Sequence, residues 1–212
     1  MEGKTHVAIG MATGVALACG AGDTGDVAAL SLTVVTAAVG SLLPDIDEDG
    51  SLINNFIFPS LKRNYRSFAL AAIGAVMVLF YFLKGLPAWV LWLGIYAAGV
   101  AYIPHRTATH SLLACAYVGW VTYTIAPAYT WAVVLGYLSH LIADTMTSAG
   151  VPYLWPYKKK FNLKGFGIKV KTGGAGDQLI GTVAIIVAAL GFVYLVGQIL
   201  YDEAVTAGWF SS

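Results

Sequence analysis

The segment 136–156, GYLSHLIADTMTSAGVPYLWP, contains a histidine and an aspartate four residues apart. In a helix, His140 and Asp144 lie on one face, one turn apart, with Cβ atoms close enough to share a ligand. An imidazole and a carboxylate at this spacing suit Zn²⁺, Mn²⁺ or Fe²⁺. The alternative is that the pair only hydrogen-bonds inside a helical bundle. The positions of the other ionisable residues decide between the two interpretations.

Few residues of the chain are charged, which is typical of a membrane protein. The 212 residues are 58% hydrophobic and 11% charged, whereas a soluble domain carries about 25% charged residues. A helix that spans a bilayer needs about 17–25 apolar residues. We therefore predict an all-α polytopic membrane protein, one domain over 1–212 with the loop 150–177 as an insertion. About seven transmembrane helices are predicted, at 6–22, 27–43, 67–84, 87–104, 108–126, 129–148 and 178–201.

The distribution of Lys and Arg predicts the orientation, because cytoplasmic loops are enriched in both. With the N-terminus in the cytoplasm, eleven of the twelve basic residues lie on the inner side and only Lys84 lies outside. We expect an integral protein of the inner (cytoplasmic) membrane with its N-terminus in the cytoplasm and its C-terminus outside. Membrane lipids are its expected partners. The net charge of +1 gives no indication of nucleic acid, and none is predicted as a partner.

The loop before the last helix alternates apolar and polar residues on either side of Lys164-Gly165. This period-two pattern around a turn predicts a short β-hairpin at the inner interface. Its lysines either face anionic lipid headgroups or only set the orientation of the chain. The apolar positions of the two runs are Phe161, Leu163, Phe166, Ile168 and Val170.

On this topology all the histidines of the chain lie at the cytoplasmic ends of predicted helices, at the same level as three aspartates. Ionisable residues within membrane segments cost several kcal/mol and usually mark function. Neutral imidazoles and ionised carboxylates bind a divalent ion, whose charge offsets the burial of the acids. The sequence therefore predicts a metal site at this end of the helices. The residues are His6, His105, His110, His140, Asp45, Asp47 and Asp144.

Four motifs occur in order along the chain: THVAIG at 5–10, LLPDID at 42–47, HR followed by THSLL at 105–113, and the segment 136–156. Together they closely resemble the family of LexA-regulated, inner-membrane, metal-dependent hydrolases. The resemblance runs from residue 5 to about residue 180 and implies a membrane-bound hydrolase. The seven His and Asp residues named above stand at the shared positions.

The chain departs from the pattern of this family at three places. Glu48-Asp49 follows PDID where the family often has His-Pro, and Thr107 follows His-Arg where the family often has glycine. Near the end, where the family tends to show a glycine-rich turn followed by Glu, the chain has Asp177. Whether Glu48 or Asp177 joins the site is left open by the sequence.

The leading hypothesis is a hydrolase that uses a divalent metal ion, Zn²⁺ or Mn²⁺, at the cytoplasmic membrane face. We interpret Asp47 as a bridging ligand or a general base. His105 and Arg106 are candidates for binding an anionic leaving group, because Arg suits a bidentate phosphate contact. A site at headgroup depth favours a lipid or a phosphorylated lipid as the substrate. The predicted metal ligands are His6, Asp45, His110, His140 and Asp144.

Two other classes of function remain as alternatives. An ion- or proton-coupled transporter usually has its site near the bilayer midplane, often between inverted repeats. Here the charges gather at one interface and the sequence shows no inverted repeat. A membrane scaffold or regulator with a structural metal is the third hypothesis. Assays of bound metal and of lipid phosphate hydrolysis separate all three.

Overall fold

The computed structural model describes residues 1–21, 26–48 and 50–209. Within these residues the chain forms eight α-helices and no extended β-strand, so the all-α class is confirmed. The helices are α1 (Gly3–Ala21), α2 (Val27–Gly40), α3 (Leu52–Ile57), α4 (Arg63–Lys84), α5 (Ala88–Val100), α6 (Leu112–Ile125), α7 (Thr130–Thr145) and α8 (Ala175–Thr206).

Each of the seven predicted spans coincides with one of these helices, and α3 is an additional short helix. Residue 22, the last of the first predicted span, lies outside the described residues. Two helices, Tyr65–Lys84 and Ala175–Thr206, are long and apolar enough to cross a membrane. Helices α2, α5 and α6 are apolar but have 14, 13 and 14 residues, about 20 Å, against a hydrocarbon core of about 30 Å. The number of helices that cross the bilayer therefore remains a prediction.

Helix α1 lies at the centre, in contact with α2, α7 and α8. Helices α2 and α7 cross with their backbones touching. A Cβ atom on Gly136 would overlap the carbonyl oxygen of Ala37, and one on Gly40 would overlap that of Val133. Small residues permit this close approach between membrane helices. The N-terminal end of α1 and the C-terminal ends of α2 and α7 are thereby brought together, and the ends of α1 and α7 carry His6, His140 and Asp144.

The remaining helices surround this unit. Helix α6 packs on α7 through an apolar cluster that includes Cys115 and Tyr137. Helices α4 and α5 form an antiparallel pair. This pair packs against the segment after α2 through Leu70, Ala97 and Ile46.

The loop before α8 does not contain the predicted β-hairpin. Phe161 forms an isolated antiparallel bridge with Val151, and Val170 forms an isolated parallel bridge with Thr147. The residues between them form a 3₁₀ turn, Lys164–Phe166. The hairpin prediction is wrong because the two apolar runs pair with the chain that follows α7 and not with each other. The loop is thereby attached to the C-terminal end of α7.

Candidate metal centre

Helix α7 presents a histidine whose ring orientation is defined by the main chain. His140 is fully buried, and its Nδ1 atom lies 2.7 Å from the carbonyl oxygen of Ser41, the residue that ends α2. A carbonyl oxygen only accepts, so Nδ1 carries the proton and Nε2 keeps its lone pair. The crossing at Gly136, one turn earlier, brings α2 within reach of this bond. His140 Nε2 therefore faces the cluster as a candidate ligand atom.

A second histidine is oriented by a chain of hydrogen bonds. The Thr109 hydroxyl donates to Asp47, and Nδ1 of His110 lies 3.1 Å from the same hydroxyl oxygen. Because that oxygen has already donated its proton, the Nδ1–H of His110 donates to it. The Nε2 atom of His110 is thus also an acceptor, 3.3 Å from Nε2 of His140.

A carboxylate lies against both imidazoles. The chain leaves α2 in a 3₁₀ turn, Leu43–Asp47, that carries Asp45. Its Oδ1 atom lies 3.5 Å from Nε2 of His110 and 3.6 Å from Nε2 of His140. Burial alone would raise the pKa of Asp45, but a proton on Nε2 of His110 and positive charge on the neighbouring imidazoles lower this pKa below its usual range. Asp45 is therefore a ligand candidate that is ionised when positive charge lies between it and the two imidazoles.

Asp144 and His6 complete the buried part of the cluster. Oδ1 of Asp144 lies 3.4 Å from Nε2 of His6, and Oδ2 lies 3.8 Å from His110 and 3.9 Å from His140. The His6 ring stacks on that of His140 with the centroids 3.6 Å apart. Within the described residues neither nitrogen of His6 makes a hydrogen bond. The amino group of Met1 also contacts Asp144. Buried imidazole nitrogens without hydrogen-bond partners are suited to bind an ion.

These side chains form two adjoining ligand sets, in each of which one donor atom per residue lies within 4.8 Å of the others. Donor atoms about 2.2 Å from a shared ion lie at most about 4.4 Å apart, so a small contraction gives each set the dimensions of a metal site. All five predicted ligands belong to these sets, and His105 is the additional member. The first set is His6, His140 and Asp144, and the second is Asp45, His105 and His110.

Asp47 belongs to neither set. His105 donates from Nδ1 to its Oδ1 at 2.7 Å, and Thr109 donates to its Oδ2. Both oxygens of Asp47 are therefore engaged, and in the structure Asp47 orients His105. The two predicted roles of Asp47 were a bridging ligand and a general base. Burial lowers the pKa of His105, but the hydrogen bond to Asp47 and the negative charges of Asp47, Asp45 and Glu48 together outweigh burial and leave the pKa above its usual value. His105 is the most solvent-exposed imidazole of the cluster, with 31% of its side chain exposed.

Arg106 reaches into the cluster and does not point away from it. Its guanidinium lies 2.7 Å from Oδ2 of Asp144 and hydrogen-bonds Thr147 at 3.3 Å. Its φ angle is +58°, the only positive φ of a non-glycine residue in the described part of the chain. Such a conformation costs about 1–3 kcal/mol and persists where the surroundings impose it, often at functional sites.

The two acids left open by the sequence lie outside both ligand sets. Asp177 accepts hydrogen bonds at Oδ2 from the backbone N–H groups of Glu2 and Gly173. It thereby joins the first turn of α1, which carries His6, to the first turn of α8. Glu48 is not among the residues whose ligand atoms converge, and Asp49 lies outside the described residues.

Two groups that orient the ligands were not predicted. Thr109 directly precedes His110 in the THSLL motif, which is the only sequence signal for its role. The contribution of Ser41 is a backbone carbonyl 99 residues away from His140 along the chain. Because every residue has a backbone carbonyl, the residue type at position 41 does not indicate such a contact.

The fold and the site define a helical membrane protein with a buried His/Asp cluster at one end of its central helices. The sequence profile of the YdjM inner membrane protein family matches residues 1–204. The chain belongs to this family, and it is an integral protein of the inner membrane. The match confirms the family resemblance that the four motifs indicated.

Individual relatives are similar over different parts of the chain. Inner membrane protein YdjM of Escherichia coli (strain K12) is 43% identical over 67 residues, 28% of this chain and 34% of the relative. The YdjM protein of Shigella flexneri gives the same values. The alignment thus spans about a third of the length of these relatives. The uncharacterized protein YvsG of Bacillus subtilis (strain 168) is 28% identical over 182 residues, 85% of this chain and 87% of the relative. No solved structure matches the chain.

Proposed function

We propose that this protein is a membrane-bound, metal-dependent hydrolase whose His/Asp site lies at the cytoplasmic face of the inner membrane. One observation carries the proposal. Nε2 atoms of two oriented histidines lie 3.3 Å apart, and each lies 3.5–3.9 Å from a carboxylate oxygen of each of two aspartates, in a nearly fully buried cluster. A cluster of lone pairs and negative charge excluded from water is unfavourable on its own, and a divalent cation compensates it.

The five predicted ligands would hold the ion or ions, with Zn²⁺ or Mn²⁺ best suited to imidazole and carboxylate donors. A divalent ion supplies Lewis-acid chemistry and activates water as a nucleophile at neutral pH. The ligands are His6, Asp45, His110, His140 and Asp144, and His105 adjoins them in the second ligand set with its predicted role toward the substrate.

The more exposed side of the cluster supplies the groups that would act on the substrate. Asp47 raises the pKa of His105 and so favours its protonated form, in which the ring is placed to donate to a leaving group or to bind an anion. Arg106 keeps 17% of its side chain exposed, and its guanidinium has more donors than Asp144 and Thr147 use. Both positive groups suit a phosphate ester.

The location of the cluster supports a lipid or a phosphorylated lipid as the substrate. The predicted seven spans, with the N-terminus in the cytoplasm and the C-terminus outside, put the inner ends of α1, α2 and α7 at headgroup depth. A buried site between helix ends at this depth is reached more easily by a lipid headgroup than by a substrate from bulk water.

The experiment is to purify the protein in detergent, measure bound metal, and assay hydrolysis of a panel of lipid phosphates. Asp45→Ala and His140→Ala should each lose bound metal and turnover while the protein still inserts into the membrane. Asp202→Asn, at an exposed position near the end of α8, is the matched control. Bound metal without hydrolysis would instead favour the scaffold, and metal-dependent ion flux in proteoliposomes would favour the transporter.

A further inference from the structure

An apolar groove of about 230 Å³ lies between α5 and α6, next to the His/Asp cluster. Ile95, Gly99 and Ile103 line one wall, and Leu113 and Tyr117 line the other. Ile95 is 44% exposed and Leu113 is 58% exposed. The groove is therefore open along its side toward the surroundings of the helices, and its volume accommodates several methylene groups.

The lining has almost no polar group to offer an occupant. The hydroxyls of three lining residues are already used within the protein: Thr109 donates to Asp47, Ser111 to the carbonyl of Ala108, and Tyr117 to the carbonyl of Trp92. Of the described side chains that line the groove, only Tyr96 has a buried hydroxyl without a partner. An ion or a sugar would lose its hydration here without replacement. The lining suits a hydrocarbon chain.

The inner end of the groove reaches the cluster. Ala108 and Thr109 form this end, and Thr109 hydrogen-bonds Asp47, the carboxylate that orients His105. The next residue, His110, is a ligand candidate. A lipid whose hydrocarbon chain lies in the groove therefore has its polar end beside His105, at the exposed side of the cluster.

We propose that this groove binds an acyl chain of a phosphate-bearing membrane lipid and so places its headgroup at the His/Asp cluster. The proposal rests on the proposed function and adds the subsite for the hydrocarbon part of the substrate. A larger apolar cavity of about 550 Å³ lies between α1, α2 and α3. Val7 and Ile46, which line this cavity, are neighbours in the chain of His6 and Asp45, but neither a ligand candidate nor a residue that orients one lines it, whereas Thr109 lines the groove.

Gly99 offers a way to fill the groove without disturbing the packing, because a Cβ atom there meets nothing within 4 Å. The same holds for Gly197 on α8, away from the groove. Gly99→Phe and Gly197→Phe therefore form a matched pair. Misplacing a reacting group by about 1 Å can cost about 100-fold in rate. We expect Gly99→Phe to reduce hydrolysis of long-chain phosphatidic acid at least about tenfold, with hydrolysis of p-nitrophenyl phosphate and metal content unchanged.

A binding measurement tests the groove independently of turnover. Phosphatidic acid with a photoreactive diazirine in its acyl chain should cross-link wild type and Gly197→Phe mainly within residues 95–117, and Gly99→Phe much less. Labelling spread evenly over the exposed helices, or concentrated at the cavity beside α3, would overturn the groove whether or not hydrolysis occurs. Groove labelling in wild-type protein that hydrolyses neither compound would support the groove and reject the hydrolase. Because mapping on wild type suffices, misfolding of Gly99→Phe would not prevent a decision.

Discussion

The Nε2 atom of His140 lies 3.3 Å from the Nε2 atom of His110. Nδ1 of His140 donates a hydrogen bond to the carbonyl oxygen of Ser41, and Nδ1 of His110 donates one to the hydroxyl of Thr109. Both facing nitrogens therefore carry lone pairs when the rings are neutral, and two acceptors this close repel each other unless a proton or a cation lies between them. With Asp45 Oδ1 3.5 and 3.6 Å away, the pair is arranged around a shared positive charge.

Thr109→Val should weaken metal binding although the residue is not a ligand. Valine has nearly the same shape but lacks the hydroxyl that receives the Nδ1–H of His110 and donates to Asp47. Loss of such an outer-shell partner typically costs about 10–100-fold in metal affinity or activity. The measurement is Zn²⁺ titration of the chelator-treated protein. Thr109→Ser, which keeps the hydroxyl, should bind like wild type, and an unchanged affinity in Thr109→Val would show that the bond does not orient His110.

Asp144→Asn should lose both metal affinity and turnover, because it keeps the size of the side chain but removes the charge that faces His6. Chelation should abolish wild-type hydrolysis, and added Zn²⁺ or Mn²⁺ should restore it. The variant should show no such recovery, whereas Asp202→Asn should behave like wild type. Full activity of metal-free wild type, or a normally active Asp144→Asn, would mean that this carboxylate only pairs with Arg106 as part of the packing.

Gly136→Ala should destabilise the protein, since its methyl group would overlap the carbonyl oxygen of Ala37 at the crossing of α2 and α7. Overpacking of this kind costs about 1–3 kcal/mol. Thermal unfolding in detergent should show a lower Tm. At Gly197 a Cβ meets nothing within 4 Å, so Gly197→Ala should unfold at or above the wild-type temperature. Equal effects of the two substitutions would argue against the close crossing.

The orientation is testable by cysteine labelling from either side of the membrane. In a Cys19→Ser background, which removes the exposed natural thiol, Lys84→Cys should react only from outside and Lys159→Cys only from the cytoplasm. The reason is the one-sided distribution of the basic residues. Cys115 is buried and serves as an internal background. Reaction of position 84 from the cytoplasmic side alone would reverse the topology and place the His/Asp cluster at the outer face.

The sequence predicted which segments form helices and which residues converge, but it did not predict the contacts within the site. Apolar runs located all seven long helices, and one-sided clustering of His and Asp located the residues that converge. These signals are local, or they depend only on counting membrane crossings. They gave no indication that Asp47 pairs with His105, because that contact joins residues 58 positions apart. The same signals predicted a hairpin, whereas Phe161 and Val170 pair with the chain after α7. A period-two pattern indicates an extended segment but does not indicate which segment pairs with it.

The contact between α2 and α7 at Gly40 and Gly136 requires small residues at the crossing but sets no requirement for the outer surfaces of the two helices. The distance from Ser41 to His140 is set by main-chain atoms of helices that already touch, so it does not depend on which side chains cover the outer surface. Leu32 and Val35 on α2 and Trp131 on α7 are exposed. We expect substitutions at such exposed positions to leave the geometry of the ligand candidates unchanged. The outer surface of α2 and α7 can therefore adapt to its surroundings independently of the His/Asp cluster.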